Sequence, residues 1–244
     1  LAVVGVLYGS LVALVQEDVK KLVAYTSVAH LGFVVLGIFA FNSQGMSGAV
    51  LQMVNHGLST SALFVLVGFL YERRHTRRID EFGGVARPMP VYAALFGVVM
   101  FASIGLPGLN GFVGELLILI GAFGVRPAMA VAATLGIVLG AWTMLWMYRR
   151  VMFGPVERPE NRGLIDLGWR ERLAVAALVV PMIAIGVNPD PWLRRIEPAV
   201  VATLDRMDAR TKLRPAPVPD PAESAAPTVA QAARPSPPHP RGGR

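Results

Sequence analysis

The chain has 244 residues, of which 54% are hydrophobic and only 16% are charged, and its mean hydropathy is +0.52. Long apolar runs, rather than alternating polar and apolar residues, favour a polytopic α-helical membrane protein over a β-barrel. The lack of cysteine in the sequence excludes disulfides, thiolate-held iron–sulfur clusters and c-type haem attachment. Most basic residues flank apolar runs, which indicates membrane topology rather than nucleic-acid binding.

The apolar runs predict six membrane spans. Residues 1–15 are interpreted as the end of a span that begins upstream, because Leu1 already lies inside an apolar run. The other spans are predicted at 22–41, 47–71, 89–123, 128–148 and 173–187. From about Asp205 the chain is rich in Pro, Ala and Arg and lacks hydrophobic periodicity. We therefore expect a transmembrane domain at 1–195 and a disordered tail at 205–244.

The run at 89–123 is too long for one crossing. Its 35 residues would form an α-helix of about 52 Å, whereas bilayer hydrocarbon is roughly 30 Å thick. Its middle contains residues that interrupt helices: Gly105, Pro107, Gly108 and Gly111. Glu115, the only charged residue of the run, follows this break by about one turn. A broken membrane helix beside a buried acid is typical of a functional site.

The span at 47–71 carries a polar stripe on one helical face. Its members recur at i, i+3, i+4 and i+7: Gln52, Asn55, His56 and Ser59. In lipid such a stripe must face other helices or water, so hydrogen bonding between helices is one explanation. His56 differs from the amides, because an imidazole takes up and releases protons near neutral pH.

The span at 22–41 contributes a second intramembrane histidine, His30. Thr26 and Ser27 precede it by about one turn, so their hydroxyls are predicted to orient the imidazole. One such histidine alone would be explained by a structural hydrogen bond to a carbonyl. Two histidines on adjacent spans, near the acid of the broken helix, favour a proton relay formed by Glu115, His56 and His30.

The charges of the loops predict the orientation. Segments 16–21, 72–87 and 149–172 hold thirteen Lys and Arg residues, whereas the turns at 42–46 and 124–127 hold only Arg126. This excess places the basic loops in the cytoplasm.

Four ordered segments resemble the antiporter-like membrane subunits of respiratory complex I. They are LVAYTSVAHLGF (22–33), NHGLS (55–59), YERRHTR (71–77) and GLPGLNGFVGE (105–115). The segment at 71–77 resembles chain M within that group. The resemblance covers about residues 1–195, and it implies two inverted helical repeats, of which this chain holds the second together with a last helix.

The resemblance also implies roles for the polar residues. Glu115 matches the buried acid of the second broken helix, at the exit half-channel, and His30 and His56 match histidines of the central hydrophilic axis. The family's further Glu and Lys groups belong to the first repeat. No catalytic residue and no metal ligand is expected in this chain.

The implied function is proton translocation within NADH:quinone oxidoreductase. No redox cofactor is expected in this chain, while NADH, FMN, iron–sulfur clusters and quinone would bind to partner subunits. The implied partners are the chains of L and N type and the lipid bilayer, in a bacterial plasma membrane, and no nucleic acid is expected.

Three alternatives stay open at this point. A Mrp-type cation/proton antiporter subunit and a membrane subunit of a proton-pumping hydrogenase share the broken helix and the buried acid. A structural membrane scaffold, in which the polar residues serve only helix packing, belongs to a different class. Co-purifying partners distinguish the first two from complex I, and substitution of the intramembrane acid and histidines tests the scaffold.

Overall fold

A computed structural model describes residues 1–213, and its regular elements within that range are helical. In chain order they are α1 (Ala2–Leu14), α2 (Val19–Ile38), α3 (Ser43–Arg74), α4 (Pro90–Ser103), α5 (Asn110–Val125), α6 (Pro127–Met152), α7 (Trp169–Val187) and α8 (Asp190–Leu213). Short 3-10 helices lie at Ile79–Glu81 and Pro159–Asn161. The predicted fold class, an all-α membrane protein, is confirmed.

The helix starts follow from local sequence. Asp18 caps α2 by accepting hydrogen bonds from two backbone N–H groups, and Asn42 caps α3 through the N–H of Gly45. Pro90 and Pro127 open α4 and α6, at positions where a missing N–H costs no helical hydrogen bond. Short turns precede α2, α3 and α6, whereas a longer loop, residues 75–89, precedes α4.

The long apolar run is broken as predicted. Helix α4 ends at Ser103 and α5 begins at Asn110, so residues 104–109 form the interruption. Gly105 and Gly108 have φ angles of +75° and +91°. This left-handed backbone favours glycine, because other residues pay a steric cost there. Gly111, which the sequence assigned to the break, lies in the first turn of α5.

Within residues 1–213, three helices are long and apolar enough to cross a membrane, namely α2, α3 and α6, judged by length and composition. A fourth span results if α7 and α8, which meet at a bend of 77°, are counted as one. Helices α1, α4 and α5 are shorter apolar helices. The count of six spans therefore stays a prediction.

Helix α8 is missed by the sequence analysis. It begins at Asp190, inside the Asn-Pro-Asp-Pro segment that ends α7, and it continues to Leu213. The predicted onset of disorder at Asp205 is therefore wrong for residues 205–213. The remainder of the predicted tail, 214–244, lies outside the described residues. Residues Leu1–Arg206 form one compact unit.

The basic loops are folded onto the ends of the helices. The guanidinium of Arg73, at the end of α3, donates hydrogen bonds of 2.9 and 2.7 Å to the two oxygens of Glu171 on α7. Asp166 accepts hydrogen bonds from the backbone N–H groups of Val91 and Tyr92, which begin α4. We call Arg73, Asp166 and Glu171 the loop clamp, because they join the loop after α6 to α3, α4 and α7.

Candidate functional site

Glu115 lies in a buried polar cluster between α2, α3 and α5. The residue is 4% exposed, and its Oε1 accepts a hydrogen bond of 3.2 Å from the Gln52 side chain. The same oxygen lies 3.2 Å from His30 Nδ1. That nitrogen is buried, and its N–H direction does not meet hydrogen-bond geometry. The carboxyl group is therefore held by an amide on one side and by a close but misaligned imidazole on the other.

His30 also lies beside the second intramembrane histidine. The rings of His30 and His56 have centroids 5.5 Å apart and planes tilted by 41°. His56 Nδ1 lies 3.0 Å from the hydroxyl of Thr60, one turn along α3. The structure thus brings the three residues of the predicted relay into one continuous group, in the order Glu115, His30, His56.

The polar stripe of α3 faces α5. Gln52, Asn55 and Ser59 are 2%, 1% and 5% exposed, respectively. Ser59 donates to the carbonyl of Asn55 on its own helix, so its hydroxyl does not extend the cluster. The amides form the contacts with α5, as the helical spacing predicts.

Asn110 is a residue that the sequence analysis missed. Its side-chain NH₂ donates to the backbone carbonyl of Asn55 at 3.2 Å, and the side-chain NH₂ of Asn55 donates to the backbone carbonyl of Asn110 at 2.7 Å. This reciprocal pair joins the first residue of α5 to the middle of α3. Its position directly after the Gly-Leu-Pro-Gly break was the available signal, since a buried asparagine there needs a partner on another helix.

The predicted role of Thr26 and Ser27 is wrong. Both hydroxyls donate to the carbonyl of Val23, at 2.8 and 3.1 Å, instead of orienting the imidazole of His30. The hydroxyl near that ring comes from Ser103, whose Oγ lies 3.5 Å from His30 Nε2. Ser103 is the last residue of α4, so the first half of the broken helix also reaches the cluster.

Two glycines allow the backbone to approach the site closely. A Cβ atom at Gly105 would lie 2.8 Å from Glu115 Oε2. At Gly114 it would collide with the side-chain oxygen of Gln52. The interruption of the helix therefore packs directly against the carboxyl group.

A cavity of about 20 Å³ lies next to the acid and the first histidine. Its lining includes three hydroxyl groups, from Ser10, Thr26 and Ser103. This volume is about the space that one water molecule requires, and the lining provides hydrogen-bond partners for it. Among the described residues, no group of three or more His, Cys, Asp or Glu side chains is arranged to hold a metal ion.

Comparison with known families assigns the chain to one of them. A family profile described as "NADH:quinone oxidoreductase/Mrp antiporter, TM" matches residues 1–140. The chain belongs to this family. The resemblance read from the four sequence segments is thereby confirmed.

Curated relatives show the same relationship. The chain is 47% identical over 200 residues to NADH-quinone oxidoreductase subunit M of Rhodobacter capsulatus, covering 82% of this chain and 39% of that protein. It is 45% identical over 204 residues to the subunit M of Mycobacterium tuberculosis, covering 84% of this chain and 37% of that protein. The chain thus spans about two fifths of the length of these relatives.

Solved structures agree with this fold. Respiratory complex I from Thermus thermophilus with bound NADH contains a chain that superposes with a TM-score of 0.79 at 33% identity, covering 84% of this chain and 43% of that one. The Mrp complex from Dietzia sp. gives a TM-score of 0.77 at 21% identity, covering 84% and 46%. At that identity the second similarity shows the shared fold alone.

Proposed function

We propose that this chain is part of a proton-translocating membrane subunit of NADH:quinone oxidoreductase, of the subunit M type. The observation that carries the proposal is the buried contact between Glu115 and His30 at the break between α4 and α5. Burying an ionised carboxyl group in the membrane costs free energy unless a partner stabilises the charge, and here the partner is itself titratable. Electron transfer, with NADH, FMN, iron–sulfur clusters and quinone, belongs to other subunits in this proposal.

The geometry suggests how a proton is held and passed. When His30 is protonated and Glu115 is ionised, opposite charges 3.2 Å apart attract each other strongly in a medium of low dielectric constant. Transfer of the proton to the carboxyl group leaves both side chains neutral. The balance between these two states responds to any charge that approaches, so a neighbouring protonation event can load or empty the pair. His56 is the donor or acceptor on the far side of His30.

The orientation follows from the loops. We place the loops at 16–21, 72–87 and 149–172 on the cytoplasmic side of a bacterial plasma membrane, because they carry most of the Lys and Arg residues of the membrane domain. The neighbours in the complex are antiporter-like chains of the L and N type. The remaining titratable groups of the pathway are supplied by the first repeat.

The direct test is Glu115→Gln in the full-length protein within the assembled complex. We expect normal assembly, because glutamine keeps the shape and the contact with Gln52, and we expect loss of proton pumping coupled to quinone reduction. Glu72→Gln is the matched control, since Glu72 lies at the exposed end of α3. Normal coupled pumping in an assembled Glu115→Gln complex would falsify the proposal.

A Mrp-type cation/proton antiporter subunit is the second candidate, and the family description that matches this chain covers both systems. In the structural comparisons the chain is 33% identical to a chain of complex I and 21% identical to a chain of the Mrp complex, which favours complex I. Purification of the native protein decides between them. Flavin and iron–sulfur subunits in the preparation support complex I, whereas membrane partners alone support the antiporter.

A further inference from the structure

The basic end of α6 carries a groove that the proposed proton pathway does not use. Five residues line it: Trp146, Arg149, Arg150, Phe153 and Gly154. Its volume is about 440 Å³. Gly154 turns the chain away after the helix with a φ angle of +99°, which leaves the end of α6 open.

The groove has a strongly positive lining. Both arginines are exposed, and within the described residues neither takes part in an ion pair. The C-terminus of a helix carries about half of a negative elementary charge, which offsets only a quarter of the two positive charges. Stabilisation of the helix end therefore does not account for both side chains, and the excess charge favours an anion.

A neighbouring groove is electrically balanced. It shares Trp146 and Arg150 with the first groove, but it is also lined by Glu17, Arg78 and Asp80. Arg78 is paired with both acids, at 3.3 Å and 2.9 Å. Two acids against two arginines leave this groove without net charge. An anion is therefore directed to the groove that contains Arg149.

The aromatic lining fits a site at the membrane surface. The guanidinium of Arg150 lies over the ring of Trp146, 5.5 Å from its centroid, so this arginine is held in place. Phe153 is 54% exposed and packs edge-to-face on Tyr148, with centroids 5.6 Å apart. Tryptophan and arginine together are typical of the level of lipid headgroups.

An apolar path leads from this groove into the membrane. Helix α6 exposes large hydrophobic side chains at helical spacing along one face: Val131, Leu135, Val138, Trp142 and Leu145. From residue 131 to residue 145 the helix rises about 21 Å, which exceeds the roughly 15 Å of hydrocarbon in one leaflet. An acyl chain entering below the arginines can lie on this face for its whole length.

We propose that Arg149, Arg150 and Trp146 bind the phosphate headgroup of an anionic phospholipid, whose acyl chains lie along the exposed face of α6. The lipid comes from the leaflet on the side of the basic loops. Its binding stabilises the end of α6 and the loop that follows, and it does not depend on proton translocation by this chain.

The test uses the full-length protein purified in detergent and native mass spectrometry with added phosphatidylglycerol or phosphatidylcholine. We expect preferential retention of phosphatidylglycerol. The double variant Arg149→Gln/Arg150→Gln is expected to bind it roughly thirtyfold more weakly, which corresponds to about 2 kcal/mol. The control Arg162→Gln/Arg170→Gln removes the same charge from two exposed positions, one in the loop after α6 and one in the first turn of α7, and should retain the lipid.

Three results would overturn the proposal. They are equal binding of the two lipids, an equal loss in the control variant, and a photo-crosslinker at Phe153 that captures a neighbouring subunit instead of lipid in the assembled complex. If the glutamine variant does not fold, Arg149→Lys/Arg150→Lys replaces it. This lysine variant keeps the charge and should retain most of the preference for phosphatidylglycerol. Complete loss of that preference in the lysine variant would also contradict the proposal.

Discussion

The membrane cluster around Glu115 and the loop clamp around Arg73 both rest on a charge pair, and the two pairs differ in kind. In the loop clamp, Arg73 meets Glu171 through two aligned hydrogen bonds of 2.7 and 2.9 Å. Arginine does not lose its proton in proteins, and its two hydrogen bonds favour the ionised form of Glu171, so this pair keeps its charges near neutral pH. In the membrane cluster, His30 and Glu115 approach to 3.2 Å without alignment, and each can change its charge.

The difference suits the two pairs to different roles, the loop clamp to anchoring and the membrane pair to proton transport. A bidentate pair that keeps its charges near neutral pH holds the loop after α6 against α3 and α7, where rigidity is useful. A loose pair of two titratable groups can exist as an ion pair or as two neutral side chains at little cost in geometry. Three experiments test the two regions, in order of decreasing expected effect.

The largest effect is expected for His30→Gln. Glutamine retains polarity but cannot carry a proton, so proton translocation per assembled complex should fall by on the order of 10²-fold. The measurement is a proton gradient formed by reconstituted complex during quinone reduction. His75→Asn is the control, because this histidine follows the last residue of α3, outside the apolar span, in a left-handed conformation that asparagine tolerates. Pumping at the normal rate in His30→Gln would remove the histidine from the relay.

A smaller effect of a different type is expected for Arg73→Gln. Loss of the bidentate contact leaves Glu171 unpaired while 22% exposed, and should lower the free energy of unfolding by about 2 kcal/mol. Thermal unfolding in detergent measures this change. Proton translocation per folded complex should stay normal.

Arg78→Gln is the control for the loop clamp. Arg78 also forms ion pairs, but its side chain is 55% exposed, so solvent screens them and stability should change less. If Arg73→Gln stopped pumping in a fully stable complex, anchoring and transport would not be separate functions.

The smallest effect is expected for the asparagine pair. Asn55→Ala and Asn110→Ala each remove one of the two hydrogen bonds by which this pair joins α3 to α5, because each side chain donates to a backbone carbonyl that alanine keeps. Loss of either bond loosens the start of α5 and weakens the other bond, so the double variant should be less destabilised than the sum of the two, with a coupling energy of about 1 kcal/mol. Unfolding of the four proteins in detergent measures the coupling. Asn161→Ala is the matched control, because Asn161 is a buried asparagine that donates to the Glu81 carbonyl outside the cluster. Additive effects of Asn55→Ala and Asn110→Ala would mean that the pair does not position the start of α5.

Much of the site is predictable from the sequence, because lipid makes polar residues conspicuous. Glu115, His30, His56 and Gln52 stand out in apolar runs, and the Gly and Pro residues before the acid predict the break. The roles of small hydroxyl residues are less predictable. Thr26 and Ser27 are close to His30 in sequence, yet both donate to a carbonyl of their own helix, since this acceptor is always within reach.

The sequence did not predict helix α8, for a different reason. Its sequence opens with Asp190 and Pro191, which look like the end of α7, and Pro198 lies inside the helix. Its apolar residues alternate with charged ones, in contrast to the uniform runs of the other helices. The search for apolar runs therefore does not predict this helix. A proline in the first turn is nevertheless also a signal for the start of a helix.

The sequence by itself determined the membrane class, the broken helix and the presence of an acid beside it, because apolar length, glycine and proline act locally. Only the tertiary structure decided what this acid contacts. Gln52 and Glu115 are 63 residues apart, and the imidazole at the same oxygen comes from another helix again. The polar stripe of α3 predicts which face of that helix turns inward, but which helix and which groups it meets depends on packing, and no local pattern encodes that.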